Sequence, residues 1–139
     1  MYKNSEGYAD PTAGAALSNV MRAYKQQQKK RYADKNRRKV YVVSPYAGDV
    51  DGNVCAAVGH CRMAVKEGYM PISGHLLYPQ ILNDNVPEER DLGLLFGLAL
   101  LAICDEVWVF GLPSPGMAQE IEEAKRLNKK LRYFEEVGK

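Results

Sequence analysis

The chain has 139 residues, of which 46% are hydrophobic and 26% are charged, and its formal net charge is +2 at pH 7. This length suits one domain with a real core, and the composition excludes a disordered or collagen-like chain. The charge is unevenly divided, because residues 1–38 carry a net charge of +6 and residues 39–139 a net charge of −4. We therefore predict a basic helical arm over residues 1–38 and an α/β domain over residues 39–139.

The sequence also disfavours a membrane or secreted protein. Its N-terminus has no charged-then-apolar signal peptide, and its most apolar stretch, residues 92–104, is too short to span a bilayer. We predict that this stretch is a buried helix and that the protein is cytoplasmic without membrane partners. The three cysteines lack zinc-ligand or disulfide spacing, so we predict buried free thiols at Cys55, Cys61 and Cys104.

Motifs for cofactors and metals do not occur. The sequence contains neither GxxxxGK[ST] nor GxGxxG, which disfavours a P-loop enzyme and a dinucleotide-dependent oxidoreductase. The two histidines, His60 and His75, are separated and give no metal signature; His60 is predicted to be structural. We therefore expect no cofactor and no metal.

The arm is predicted to form one long helix. After a flexible start over residues 1–9, Asp10 and Pro11 are typical of an N-cap and a first helical position, and the helix is predicted to reach about Lys35. Its first half carries a modest apolar stripe, for which we expect a second subunit as partner and hence a homo-oligomer. The stripe consists of Ala16, Val20, Ala23 and Tyr24.

The second half of the arm, KQQQKKRYADKNRRK, is polar on all sides. A solvated basic face is favoured over a nucleic-acid contact, because no interleaved aromatic residues or glycine-rich loop accompany the charges. Nucleic acid is therefore not expected as a partner, and a nucleic-acid role of the arm is the weaker alternative.

From about Lys39 onward, β-prone and helical segments alternate. The fold class predicted from this alternation is α/β: a Rossmann-like open parallel sheet of about four to five strands with helices on both faces, preceded by the N-terminal helical arm. Pro71 places the second strand at an end or an edge of the sheet. The predicted strands are residues 40–44, 70–72, 107–110 and 130–134. The predicted helices are residues 53–67, residues 87–103, and a segment that follows the turn at 113–116 and ends near Asn128. The apolar face of the first of these helices is predicted to consist of Val54, Val58, Cys61 and Val65.

The loops after the first three strands deliver polar groups to one edge of the sheet, where open α/β sheets hold their ligands. Gly48, Gly74 and Gly116 permit close approach of a ligand to the backbone. His75 could bind a base or act as an acid, and Tyr46 could stack on a nucleobase or pack within its loop. The candidate binding residues are Ser44, Tyr46, Gly48, His75, Ser114 and Gly116.

Carboxylates complete this predicted site. Glu120 lies just past a buried strand and beside a helix N-terminus, where an ionised carboxylate suits attack on a sugar oxocarbenium centre or its stabilisation. The alternative is that Glu120 only complements the helix dipole. Asp91, Glu88 and Glu89 begin the preceding helix, where one of them could act as a general acid or base, with the same alternative.

Three segments carry a family resemblance: YVVSPYAG at the first strand, CDEVWVFG at the third, and SPGMAQEIEEAK after it. They resemble the nucleoside 2-deoxyribosyltransferase superfamily, in particular its small bacterial and phage members related to deoxynucleoside 5′-monophosphate N-glycosidases. The resemblance covers about residues 39–134 and implies cleavage of an N-glycosidic bond. It implies Glu120 as the nucleophile, Tyr41 as the residue that positions it, Ser114 as a phosphate contact, and Asp91 as the second acid, with Glu88 or Glu89 as alternatives.

Two departures leave two functions open. Ser114 stands where the transferases usually carry an aspartate, and Ala47 stands where the monophosphate hydrolases tend to have an arginine. The first prediction is an enzyme, an N-glycosidase or deoxyribosyltransferase that acts on a nucleoside or nucleotide. The alternative is a non-catalytic nucleotide-binding protein that uses the same pocket.

Overall fold

The computed structural model describes residues 11–135, and the chain divides into two compact units, residues 1–37 and 38–139. In the first unit, helix α1 (Pro11–Lys35) is a single long helix whose Val20 and Tyr24 are exposed. The predicted helical arm is thus confirmed. The predicted flexible start and the predicted N-cap Asp10 lie outside the described residues.

The second unit is built on four parallel strands in the order β2-β1-β3-β4. The two central strands are short runs of β-branched and aromatic residues, the pattern that buried parallel strands favour. Because β2 lies at the edge, Pro71 disturbs the ladder least there, as its position in the sequence predicted. The strands are β1 (Lys39–Val43), β2 (Met70–Ile72), β3 (Glu106–Phe110) and β4 (Lys130–Phe134).

Helices cover both faces of this sheet, which confirms the predicted α/β class. They are α2 (Val50–Lys66), α3 (Pro87–Ala102) and α4 (Pro115–Arg126). The segment between β2 and α3 contains two 3₁₀ turns, Gly74–Leu76 and Tyr78–Gln80. Among residues 11–135, none of the helices is both long and apolar enough to cross a membrane.

Alternate residues of the central strands enter two separate cores. Val40 and Val42 of β1 pack with Trp108 and Phe110 of β3 and with Ala64 of α2. The residues between them face the opposite side of the sheet, where α3 and α4 pack. That second core contains Tyr41, Val43, Val107, Val109, Leu101, Met117, Ile121 and Ala124.

The predicted apolar face of α2 is correct only in part, since Cys61 packs against the core and Val54 is half-buried. Val58 and Val65 are exposed, whereas Ala57, Ala64 and Asn53 are buried. Small alanines let the helix approach the sheet closely, and the Asn53 amide is buried because it donates to the backbone carbonyls of Tyr46 and Ala47 at 3.1 and 3.0 Å. A count of large apolar residues cannot detect either effect.

The prediction that residues 92–104 belong to a helix is confirmed as far as Ala102, but the prediction that this helix is buried is wrong. Only Gly97 and Leu101 of α3 are buried, while four large apolar side chains at helical spacing are exposed. The helix packs on the sheet through Gly97, Leu100 and Leu101, which leaves the four exposed apolar side chains outside the core. The exposed residues are Leu92, Leu95, Phe96 and Ile103.

The cysteines are free thiols, as predicted, but they are not all buried. Cys104 is buried, and burial raises the pKa of its thiol to about 11. Cys61 is half-buried and Cys55 is exposed. Cys55 is exposed because it lies on the outer side of α2, away from the buried line through Ala57 and Ala64.

Candidate active site

A cavity of about 650 Å³ lies at the carboxyl ends of β1, β2 and β3. Its walls come from the loops that follow these strands, from the first 3₁₀ turn, and from one side each of α3 and α4. This is the edge at which parallel sheets hold their ligands. The structure brings most of the residues predicted for the site to this cavity: Tyr41, Ser44, Tyr46, Gly74, His75, Glu89, Asp91, Ser114, Gly116 and Glu120.

Glu120 lies in the second turn of α4 and is only 4% exposed. The start of α4 is fixed by Ser114, whose hydroxyl accepts a hydrogen bond from the Met117 amide at 3.3 Å. Pro115 follows at the first helical position, where its missing N–H costs nothing. The local sequence therefore starts the helix so that Glu120 points into the cavity.

Two side chains meet the Glu120 carboxyl group. The buried Tyr41 of β1 forms a side-chain hydrogen bond with it, and Nε2 of His75 lies 3.8 Å from its Oε1. These residues come from β1, from the turn after β2, and from α4, so three separate elements build one polar cluster.

Burial controls the ionisation of this cluster. It raises the pKa of Glu120 to about 7, against the opposing effect of the Tyr41 hydrogen bond. Burial and the nearby Glu120 carboxyl raise the pKa of Tyr41 far above its usual value, so the phenol keeps its proton and donates a hydrogen bond to the carboxylate. A carboxyl group that titrates near neutral pH inside a cavity is a common property of functional sites.

His75 is the second titratable group inside the cavity. Burial lowers its pKa, which the hydrogen bond to the Ser44 backbone and the charge of Asp84 partly oppose. Its imidazole is therefore largely neutral near pH 7. The Tyr46 ring lies 5.1 Å from the His75 ring and tilts against it, so both rings form one wall of the cavity.

Ser44, the residue after β1, is buried in the cavity wall, and its hydroxyl lacks a hydrogen-bond partner among the described residues. A buried hydroxyl without a partner is costly in a folded protein. Such a group at the wall of a cavity is a candidate for contact with a ligand.

The predicted acids at the start of α3 are less buried. Asp91 lines the cavity but is exposed, and Glu89 lines it while its Oε1 accepts a hydrogen bond from the Asn83 amide at 3.2 Å. Glu88 and Gly48 are not among the described residues that line the cavity. Glu120 is thus the one buried carboxyl group among the described acids that line it.

Sequence reasoning missed several residues of the cavity. Asp84 and Arg90 add charge at its mouth, and Gly97 of α3 approaches the Tyr41 hydroxyl. Gly93 and Gly97 stand four residues apart in the apolar part of α3, a spacing that could have indicated a close contact. Among the described residues, no group of three His, Cys, Asp or Glu lies close enough to hold a metal ion.

Residues 38–134 match the family described as Domain of unknown function (DUF7768). No curated protein matches the chain significantly.

Two solved structures share the fold. The 2-deoxyribosyltransferase of Bacillus psychrosaccharolyticus, described as a biocatalyst for synthesis of antiviral and antitumoral nucleosides, is 17% identical with a TM-score of 0.59, over 73% of this chain and 74% of its own. The 2-deoxyribosyltransferase of Leishmania mexicana is 15% identical with a TM-score of 0.50, over 70% of this chain and 64% of its own. At this identity the likeness concerns the fold.

Proposed function

We propose that this chain, which belongs to the DUF7768 family, cleaves or transfers at the N-glycosidic bond of a nucleoside or nucleotide, with Glu120 as the nucleophile. The observation that carries the proposal is a buried carboxyl group, hydrogen-bonded to a buried tyrosine, inside a cavity at the carboxyl edge of the sheet. The fold shared with two 2-deoxyribosyltransferases supports the same class of reaction.

The chemistry needs two displacements at one carbon. A Glu120 oxygen attacks C1′ of the sugar, the C1′–N bond breaks, and its electron pair leaves with the base, which takes up a proton. Water or a ring nitrogen of a second base then attacks C1′, loses its proton, and releases the Glu120 carboxylate. Water gives a free sugar, and a second base gives a new nucleoside.

The remaining cavity residues suit supporting roles. The Tyr41 hydrogen bond favours the ionised form of Glu120, which is the nucleophilic form. Tyr46 presents an aromatic face to a base, the neutral imidazole of His75 can hydrogen-bond the base, and Asp91 is the acid that we propose to protonate it as it leaves. Ser114 and Gly116 at the start of α4 can bind hydroxyl or phosphate oxygens.

The test is incubation with a panel of ribonucleosides, deoxynucleosides and their 5′-monophosphates, with and without a second free base. Released base or a new nucleoside, detected by chromatography, is expected for at least one member of the panel. Exchange of bases without net hydrolysis would identify a transferase. If no base is released from any member, the proposed function is wrong.

A second function, binding of a nucleotide without turnover, is favoured by one observation. Ser114 of the cavity wall stands where the transferases that the sequence resembles usually carry an aspartate, so one residue of the expected reaction site is replaced. Under this alternative a nucleotide should raise the melting temperature by mass action and be recovered intact. Recovery of free base would exclude it.

Substitution of Ser44 by alanine is expected to separate binding from stability. We expect affinity for the ligand or substrate to fall about tenfold, since one hydrogen bond to it is removed. The unliganded protein should be equally stable or up to about 1 kcal/mol more stable, because the Ser44 hydroxyl has no partner among the described residues. Titration calorimetry and urea unfolding measure the two effects.

Ser73→Ala is the matched control for this substitution. The Ser73 hydroxyl is also buried and without a partner among the described residues, but Ser73 is not among those that line the cavity. It should show the stability effect and leave affinity unchanged. Equal affinity of wild type and Ser44→Ala would remove Ser44 from the binding site.

We further propose that a second copy of this chain covers the exposed face of α3. Leu95 and Ile103 are 58% and 61% exposed, and Leu92 and Phe96 lie on the same side of the helix. Monomers rarely expose such a contiguous apolar patch, and a two-fold axis lets one helix face cover its own copy.

Sedimentation is expected to show a dimer or larger assembly that Leu95→Asp dissociates. Val58→Asp, at an exposed apolar position of α2, should leave the assembly intact. Sedimentation of the wild type as a monomer at micromolar concentration would refute the homo-oligomer.

A further inference from the structure

The hydroxyl of Tyr41 is enclosed by two glycines from different elements. A methyl group on Gly97 of α3 would lie 2.9 Å from the Tyr41 Oη, and one on Gly74 would lie 2.8 Å from the same atom. Both distances are shorter than a methyl carbon and a hydroxyl oxygen approach in proteins, so a side chain at either position would force the hydroxyl or the backbone to shift. Both glycines are buried, as is Tyr41.

The enclosure brings three elements together at one atom. Tyr41 comes from the middle of β1, Gly74 begins the turn after β2, and Gly97 lies in the third turn of α3. A methyl group on Gly74 would also lie 3.5 Å from the Gly97 Cα, so the two backbones are close to each other as well as to the hydroxyl. The Gly74 backbone also hydrogen-bonds the Tyr41 hydroxyl.

Gly97 is the more informative of the two glycines. A methyl group there would meet the Tyr41 Oη within 4 Å and, among the described residues, no other atom outside the local helix backbone. Helix geometry does not require glycine here, since alanine is favoured over glycine in a helix interior by about 1 kcal/mol. Helix propensity therefore argues against glycine at this position, and the tyrosine hydroxyl supplies the reason for it.

We infer that Gly97 and Gly74 are positioning residues that hold the Tyr41 hydroxyl against the Glu120 carboxyl group. The inference rests on the proposed function for its catalytic consequence and on the contacts alone for its structural one. Neither glycine touches the reacting atoms. Because neither has a side chain, each leaves room for the Tyr41 hydroxyl at its place beside Glu120. A side chain at Gly97 would push the hydroxyl away from Glu120.

Several ionisable groups surround Glu120, and the effect of Tyr41 must be separated from theirs. His75 faces Glu120 from the turn after β2, and Asp84 acts on His75. Cys104 faces Tyr41. The charged side chains of α3 that line the same cavity are Glu89, Arg90 and Asp91.

The test is a double-mutant cycle with Gly97→Ala and Tyr41→Phe. Gly97→Ala alone should lower kcat by about tenfold to a hundredfold, with KM within a factor of about two, because the hydrogen bond that it disrupts acts on the nucleophile. The acidic limb of the pH–rate profile should move to higher pH, since Tyr41 no longer favours ionised Glu120. In the Tyr41→Phe background, which has no hydroxyl to displace, Gly97→Ala should have no further effect.

A readout without turnover keeps this inference separate from the proposed function. The titration of Glu120, followed by carbon-13 NMR of the carboxyl group in the unliganded protein, should shift to higher pH in Gly97→Ala and in Tyr41→Phe, and no further in the double variant. This holds even if no substrate is ever turned over. Gly59→Ala on α2, where an added methyl group meets nothing within 4 Å among the described residues, is the control and should shift neither readout.

Two results would overturn the inference. One is a Gly97→Ala variant with unchanged Glu120 titration, which would mean that the hydroxyl does not move. The other is an equal effect of Gly97→Ala in the wild-type and Tyr41→Phe backgrounds, which would make the role of Gly97 one of general packing.

Discussion

Glu120→Gln is expected to lower the rate of base release on the order of a thousandfold or more, the scale seen when an enzyme loses its nucleophile. Glutamine has the same shape and can still accept the Tyr41 hydrogen bond, but its neutral amide cannot form the glycosyl ester. Substrate affinity should change little, because Glu120 contributes mainly to the transition state in this mechanism. Initial rates with the best substrate of the panel, and titration calorimetry with the same compound, measure the two quantities.

The control for this variant lies on the same helix. Glu122 of α4 is exposed and forms a surface ion pair with Lys125 at 3.5 Å. Glu122→Gln makes the same change of charge on the same helix but does not touch the cavity, so it should retain wild-type activity. If Glu120→Gln keeps more than about a tenth of the wild-type rate, Glu120 is not the nucleophile.

The position of Glu120 could be predicted because its determinants are local in sequence. An apolar strand, a turn with two prolines, and a capped helix follow one another within residues 106–126, and together they place the carboxylate at the carboxyl edge of the sheet. The order of the elements then predicts that the loops after β1 and β2 reach the same edge. Ser44 and His75 were found in this way, and Tyr41 was found through the family resemblance.

The buried sides of α2 and α3 and the pKa of Glu120 could not be predicted from the sequence, because they depend on contacts between distant elements. The apolar residues of α2 and α3 predicted the helices but not which side faces the sheet, because small residues at Ala57, Ala64 and Gly97 decide how closely each helix packs. The raised pKa of Glu120 has the same origin. It is set by how completely the cavity walls exclude water, which no local pattern encodes.

The buried carboxyl group that suits the proposed chemistry also destabilises the fold. In an unfolded chain a glutamate has a pKa near 4.5, and in the folded protein burial raises the pKa of Glu120 to about 7. Between these values the folded state holds a proton that the unfolded state has released. The contribution of this group to stability is therefore fully present below pH 4.5 and is lost as the pH rises to about 7.

Wild-type protein should accordingly lose about 3 kcal/mol of unfolding free energy relative to Glu120→Gln between about pH 4.5 and pH 7.5. Glutamine does not ionise, so the variant lacks this loss and should be the more stable of the two above about pH 7. Urea unfolding of both proteins at intervals from about pH 4 to pH 8.5 measures the difference.

The comparison of the two proteins is needed because other groups titrate in the opposite sense. Burial lowers the pKa of His75, and hydrogen bonds from Trp108 and Tyr69 lower the pKa of Glu106. Both lowered pKa values reduce the stability of the folded protein as the pH falls. The effect of Glu106 is common to wild type and variant and cancels in the difference at each pH, and that of His75 cancels to the extent that its titration does not depend on Glu120, 3.8 Å away. If the difference in unfolding free energy between the two proteins stays constant across the whole pH range, Glu120 ionises as freely in the folded protein as in water. In that case the cavity neither raises the pKa of Glu120 nor destabilises the fold through it.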